Sequence, residues 1–279
     1  MINYNGTLVN DDSSQLALNR GFLYGDAVFE TVKVVNSKIF FLEDHYFRLM
    51  ASMRVIRMEI PMNFTLEYLE QQILALVKSQ NILEASRVRI TVFRNDGGYY
   101  LPLTHSVSFL ITAQALDYIA YSIHKNKYQV ELYTDFYVTR HLLSSIKTTN
   151  KMINITASIF ANENGFDNCL LLNDSKNVVE ALQGNLFMVS GNKLITPPIS
   201  EGCLDGIMRK QILSLAQKIE GLEVLEMVIS PFDLQKADEL FITNVIKGVQ
   251  PITHYRKKEY TIDLASKLVQ NLNESLGMV

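Results

Sequence analysis

The stretch HLLSSIKTTNKMINITA, residues 141–157, holds two lysines, Lys147 and Lys151, spaced like neighbours one helical turn apart. A lysine that condenses with a carbonyl compound must be neutral part of the time, which takes an apolar wall or a cationic neighbour. The run LLSSI offers the wall and Lys151 the like charge. Read alone, the segment also suits a surface lysine at a helix start. Glu180 stands in NVVEALQGNLF, after an apolar pair and before Gly184. It is either a turn residue or a carboxylate set against a pyridinium nitrogen, keeping the ring protonated and electron-withdrawing. LDGIMRKQILSLAQKI puts Gly206 and Ile207 at a helix start, where backbone N–H groups and the helix dipole favour an anion. ITNVIKGVQP adds a second polar turn, Thr243 to Val245, with Asn244 inside it. Arg48, in the otherwise apolar helical stretch EDHYFRLM, is a bidentate phosphate partner or a snorkelling side chain.

These residues need elements to hold them. VFETVKVVNSKIFFLEDH reads as two strands about a turn at Asn36 and Ser37, followed by a helix over 43–57. TLEYLEQQILALVKSQ has Leu66, Leu69, Ile73 and Leu76 at helical spacing, with Thr65 as N-cap. SRVRITVFR alternates: Val88, Ile90 and Val92 face one way, Arg87, Arg89 and Thr91 the other, as in a half-buried strand. Another strand is expected at 106–111. Beyond a connection come a strand over 129–138, a helix near 151–163, a strand in NCLLLN and a hairpin turning at Gly191 and Asn192. An amphipathic helix follows in GIMRKQILSLAQKI, then two short strands about a small helix with Ser230 as cap and Pro231 at its first position. A helix in TIDLASKLVQNLNESL ends the chain. Hairpins mixed with helices point to an α+β protein of two domains: a small one over 1–115, a linker over 116–125, and a larger one over 126–279.

Composition narrows the classes. Apolar residues make up 48% of the 279 positions and charged residues 20%, an ordinary globular balance. The net charge of −3 gives no footprint for nucleic acid. Two cysteines make neither a disulfide framework nor a metal set, and the five histidines show no metal-ligand spacing. MINYNGTLVNDD lacks the basic and apolar regions of a secretory signal, and no run of about 18 apolar residues suggests a membrane span. A cytoplasmic protein is expected. No P-loop, dinucleotide fingerprint, HExxH or nucleophile elbow competes.

Taken in order, YGDAVFET, DHYFRL, IKTTN, VVEALQGNLF, LITPP, LDGIMRK and FITNVIKGVQPI resemble the class IV (fold type IV) pyridoxal-phosphate enzymes. That family includes branched-chain and D-amino-acid aminotransferases and aminodeoxychorismate lyases. The resemblance covers nearly the whole chain, including the Lys147 to Glu180 spacing. It implies a small N-terminal α+β domain, a larger C-terminal pseudobarrel domain, pyridoxal 5'-phosphate as cofactor, and a homodimer whose interface helps to build each site. By that resemblance Lys147 is the Schiff-base lysine, Glu180 meets the pyridine nitrogen and Arg48 meets the phosphate. Gly206 and Ile207, with Asn244 and Val245, match the backbone phosphate cup. A counter-charge for the substrate carboxylate is expected from Arg94 or Arg140.

Within the family two activities compete. An aminotransferase passes an amino group from an amino acid, branched-chain or similar, to a 2-oxo acid; a lyase makes 4-aminobenzoate and pyruvate from aminodeoxychorismate. Thr31 in VFET resembles a threonine of many lyases, RNDGGYYLP resembles the lyase loop, and ITNVIKGVQP is more lyase-like. Lys151 stands where many aminotransferases have tyrosine and lyases tend to be basic. Against this, Tyr99 replaces an arginine apt for the lyase's dicarboxylate substrate. Transamination is also the commoner activity. The reading settles on the aminotransferase, with the lyase as alternative and a non-catalytic cofactor-binding protein as a remote one.

Overall fold

The computed structural model describes residues 1–10, 18–82 and 84–278. The chain forms two units: residues 1–119 with 146–150, and 120–145 with 151–279. The expected linker contains the division between Ile119 and Ala120. The expected boundaries differ in one respect that matters: the short segment carrying Lys147 belongs to the first unit. Its backbone pairs with that unit's sheet, through a bridge between Val28 and Thr148.

The first unit runs β1 (Ile2–Tyr4), β2 (Thr7–Val9), α1 (Arg20–Tyr24), β3 (Ala27–Val35), β4 (Lys38–Ile39), α2 (Leu42–Val55), α3 (Leu66–Ser79), β5 (Ala85–Arg94) and β6 (Val107–Ala115). Its strands form one antiparallel six-stranded sheet in the order β2-β1-β6-β5-β3-β4. Asn36 and Ser37 take left-handed φ values of 47° and 60°, giving the tight turn that returns β3 into β4. Thr65 Oγ1 accepts from the Tyr68 N–H at 3.2 Å and so caps α3, a bond whose loss typically costs about 1 kcal/mol. Val28, Val32 and Val34 of β3 and Val88, Ile90 and Val92 of β5 are buried with Leu49, Met53, Ile73 and Leu76 of the two long helices. Each such side chain contributes roughly 1.5–3 kcal/mol by leaving water. Period two then sends Phe29, Thr31, Arg89 and Thr91 to the opposite face.

The second unit runs β7 (Gln129–Val138), α4 (Leu142–Ser145), α5 (Met152–Glu163), β8 (Asn168–Asn173), β9 (Val178–Ala181), β10 (Gly184–Ser190), β11 (Lys193–Thr196), α6 (Ile207–Ala216), β12 (Glu223–Glu226), α7 (Pro231–Lys236), β13 (Glu239–Asn244), β14 (Gly248–Ile252), β15 (His254–Tyr255), β16 (Lys258–Glu259) and α8 (Asp263–Leu276). A ten-stranded sheet is ordered β12-β11-β10-β9-β8-β7-β15-β16, and branches at β10, which also pairs with β13, itself paired with β14. The expected small helix is α7, held by a capping box of Ser230 and Asp233 with Pro231 at its first position. The mixture of antiparallel pairs and helices is α+β, as expected.

Lys147 and Lys151 do not lie one turn apart on a helix. α4 stops at Ser145 and α5 starts at Met152, with Lys151 as its N-cap at φ −118°. Between them, backbone groups of Lys147 and Thr149 bond to Phe29 and Ala27 of β3, beside one short bond from the Thr148 N–H to the Ile146 carbonyl. Among the described residues no helix is long and apolar enough to cross a membrane.

Candidate active site

In the first unit, the Lys147 segment is sewn onto the start of β3. Phe29 N–H donates to the Lys147 carbonyl at 2.8 Å and Thr149 N–H to the Ala27 carbonyl at 3.1 Å. Thr149 Oγ1 and Asn150 Nδ2 both donate to the Gly25 carbonyl at 3.2 Å. Gly25 is the left-handed C-cap of α1, with φ 64°. A Cβ on it would come within 2.3 Å of Asn150 Oδ1. The glycine of YGDAVFET and the asparagine of IKTTN are therefore two halves of one contact.

This places Lys147, half-buried, over the Phe29 ring, with Nζ 4.5 Å from the ring centroid. Arg89 lies over the same ring at 3.7 Å and donates through Nε to Thr91 Oγ1 at 3.1 Å. Burial, and then the like charge of Arg87, lowers the Arg89 pKa from its ordinary value. Thr31 is half-buried on this face, directly opposite Arg89 in the strand register. Lys33, fully buried, donates to the Ile119 carbonyl at 2.7 Å and lies 4.7 Å from the Tyr118 ring centroid; burial pulls its pKa down to about 8. The same face opens into a cavity of about 640 Å³ whose walls include Tyr4, Phe22, Ala27, Thr91, Phe93 and Thr149.

Arg48 lies on the sheet's other face. Its Nε and Nη2 donate to the two oxygens of Glu30 at 2.7 and 2.6 Å. Arg94 differs from expectation. Its guanidinium donates to Asp26 at 2.9 Å, to the Arg57 carbonyl at 3.0 Å and to the Ile56 carbonyl at 2.6 Å, and it contacts His105 Nδ1. It is 5% exposed and serves as a strut between β5 and the end of α2, not as a substrate counter-charge. Tyr99 is 83% exposed. Its carbonyl, with those of Gly97 and Gly98, accepts from Arg20 Nη1, so it is the loop's backbone that is fixed.

In the second unit Glu180 is a strand residue and not part of a turn. It stands opposite Asn185 of β10, so the two share a face. Glu180 Oε2 accepts from the Leu204 N–H at 2.9 Å, and Asn185 Nδ2 donates to the Leu204 carbonyl at 2.7 Å. Together they grip the loop that leads into α6. Gly206 is the N-cap of that helix and makes no side-chain cap bond; a Cβ there would fall 1.9 Å from Asn185 Oδ1. Thr243 stands opposite Asn185 on the other side of β10, again on the same face, and its buried Oγ1 has no partner among the described residues. Asn244 Oδ1 accepts from the N–H groups of Ile246 and Lys247 at 3.0 and 2.8 Å, while the Val245 carbonyl accepts from the Tyr121 hydroxyl at 2.7 Å. Arg140, the other expected counter-charge, is paired with Asp174 at 2.7 Å.

Residue types alone did not single out Arg89, Glu30 or Asn185. For Arg89 the signal was present: the alternation placed it opposite Val88 and Ile90, but an arginine on that side of a strand is ordinarily solvated. Asn185 and Glu30 are legible only through partners distant in sequence.

Residues 27–255 match the protein family described as amino-transferase class IV. A putative branched-chain-amino-acid aminotransferase from Methanocaldococcus jannaschii is 30% identical over 260 residues, covering 89% of this chain and 85% of that protein. A D-alanine aminotransferase from Bacillus licheniformis is 26% identical over 284 residues, covering 98% and 94%. The solved branched-chain aminotransferase of Thermoproteus uzoniensis superposes with a TM-score of 0.87 at 24% identity, over 99% of this chain and 95% of that one, and shows the same fold. The chain thus belongs to the class IV aminotransferase family, whose members are enzymes.

Proposed function

We propose that the protein is a pyridoxal 5'-phosphate-dependent aminotransferase that moves an amino group from an amino acid, branched-chain or similar, to a 2-oxo acid. The observation that carries this reading is the pair of side chains on Phe29: an amine that can form an imine and a guanidinium that can hold a carboxylate, both over one ring on the sheet face that bears Thr31. The residues fit the cofactor chemically. The second unit supplies a carboxylate on one sheet face, a buried hydroxyl with no partner among the described residues, and a helix start where a Cβ would meet Asn185 Oδ1. When bound, the cofactor supplies an electron sink for the bond broken at the substrate α-carbon.

The chain's own residues do the rest. Lys147 Nζ holds the cofactor between turnovers and, once released, moves a proton to and from the α-carbon. Glu180 holds a proton on the pyridine nitrogen. Arg48, the N–H groups of Gly206 and Ile207, and the turn at Asn244 and Val245 bind the phosphate. Arg89 takes the role first assigned to Arg94, orienting the substrate carboxylate by a forked hydrogen bond.

A homodimer fits the exposed side chains of the first unit. Phe22, Tyr99, Tyr100 and Leu101 are 71–92% exposed, and the Tyr100 ring lies 5.9 Å from that of Tyr24 of α1, tilted by 59°. A cytoplasmic setting suits two buried free cysteines. The lyase is kept as a second reading because Thr31 stands beside Arg89, on the same face as Phe29. A panel of L- and D-amino acids with 2-oxoglutarate or pyruvate tests the choice. Amino transfer from at least one donor is expected. No transfer from any donor, with 4-aminobenzoate made from aminodeoxychorismate, would establish the lyase.

A further inference from the structure

Three ionisable side chains meet inside the apolar layer between β3 and α2. Glu30 Oε1 accepts from Arg48 Nε at 2.7 Å, and Oε2 from Arg48 Nη2 at 2.6 Å and from His45 Nδ1 at 2.7 Å. The side chains of Glu30, His45 and Arg48 are 2%, 3% and 11% exposed. Val28 and Val32, the neighbours of Glu30 on this face of the strand, belong to the hydrophobic core. Burial alone would raise the Glu30 pKa, but the charges of Arg48 and His45 outweigh it and hold the group down at about 2. His45 Nε2 is buried with no partner among the described residues, so the ring's polar contact is Glu30. Packing does not explain the trio, since apolar side chains of similar volume commonly stabilise a core as well or better. What a fork-to-fork ion pair adds is direction. A guanidinium is planar, and fixing its Nε–Nη2 edge fixes where the opposite edge points.

We propose that Glu30, itself fixed by His45, is the positioning residue that aims the Arg48 guanidinium at the phosphate of the cofactor. This rests on the reading of Arg48 as a phosphate partner. The set then has two layers. Arg48 meets the ester, while the Glu30 carboxylate binds Arg48 and His45 and stands one step back from it.

The test compares binding of pyridoxal phosphate with binding of pyridoxal, which lacks the ester, by absorbance titration of the apo-protein. Glu30→Gln keeps the shape but removes the charge. It is expected to weaken pyridoxal phosphate about tenfold or more, the scale of one lost charge-assisted bond. Pyridoxal binding should change by less than about twofold. Arg48→Gln is the reference and should reduce the preference for the phosphate ester at least as much. His45→Leu should reduce it partly. His45→Asn, whose amide can donate to Glu30 in place of Nδ1, should restore it. Circular dichroism and melting curves report the fold. Should Glu30→Gln fail to fold, the contrast between the two His45 variants decides. An unchanged preference in Glu30→Gln beside a collapsed one in Arg48→Gln would overturn the proposal and leave Arg48 as the phosphate partner. Equal weakening of both ligands in Glu30→Gln would show a merely structural role and overturn it too. An unchanged preference in Arg48→Gln would remove the underlying reading, and the proposal with it.

Discussion

On the face of the six-stranded sheet that meets α2 and α3, the Arg48 and Glu30 charges form a close ion pair with His45 beside it, inside an aliphatic core. On the opposite face, Arg89 and Lys147 lie over the Phe29 ring and Lys33 lies against Tyr118. The two faces are built from alternate residues of the same two strands, so the difference is not one of scaffold. The first arrangement fixes a geometry. The second keeps cations partly desolvated on ring faces, where Lys33 and Arg89 both have lowered pKa values and an arriving carboxylate gains most. On the proposed reading, one sheet separates the task of holding a group in place from the task of receiving one.

Arg89→Leu should damage the receiving face most. The expected result is a substrate KM about 10–100-fold higher, the usual scale for losing hydrogen bonds to a charged group. The melting temperature should change little, because Arg89 contributes a ring contact and one hydroxyl bond to the fold. Steady-state kinetics beside a thermal melt would check it; an unchanged KM would show that the two faces do not differ in this way.

The holding face makes a smaller, pH-dependent contribution. The Glu30 pKa is lowered in the folded protein from 4.5 to about 2, so its stabilisation is present above about pH 4.5 and is lost as the pH falls toward 2. Acid unfolding of the wild type should therefore steepen across that window. Glu30→Gln should be less stable at neutral pH and show a flatter acid limb, measured by urea melts at stepped pH. Parallel acid limbs in the two proteins would contradict the assigned ion pair.

Much of this sheet was legible in the residues. The alternation in SRVRITVFR gave β5 its two faces, Thr65 its cap, and Asn36 with Ser37 their turn. The roles that escaped were set by partners far along the chain. Arg94 reads like a free cation after a strand, and only the carbonyls of Ile56 and Arg57 show it to be a strut. Lys151 looks like a helical neighbour of Lys147 until the backbone at Lys147 and Thr149 is seen bonding to Phe29 and Ala27. Gly25 reads as a turn glycine, and its second reason, the approach of Asn150, joins residues that no local pattern connects. In the second unit Glu180 and Asn185 were visible as polar residues, but their common grip on Leu204 was not.

The central claim is that Lys147, and not Lys151, is the lysine that holds the cofactor. It is tested most directly by loading the protein with pyridoxal phosphate and reducing it with borohydride. Reduction turns an imine between lysine and the cofactor aldehyde into a stable amine that survives proteolysis and mass spectrometry. The account expects the pyridoxyl group on Lys147 alone, and no such label in Lys147→Ala. A label on Lys151 or another lysine in the wild type, or a protein that takes up no cofactor, would contradict it.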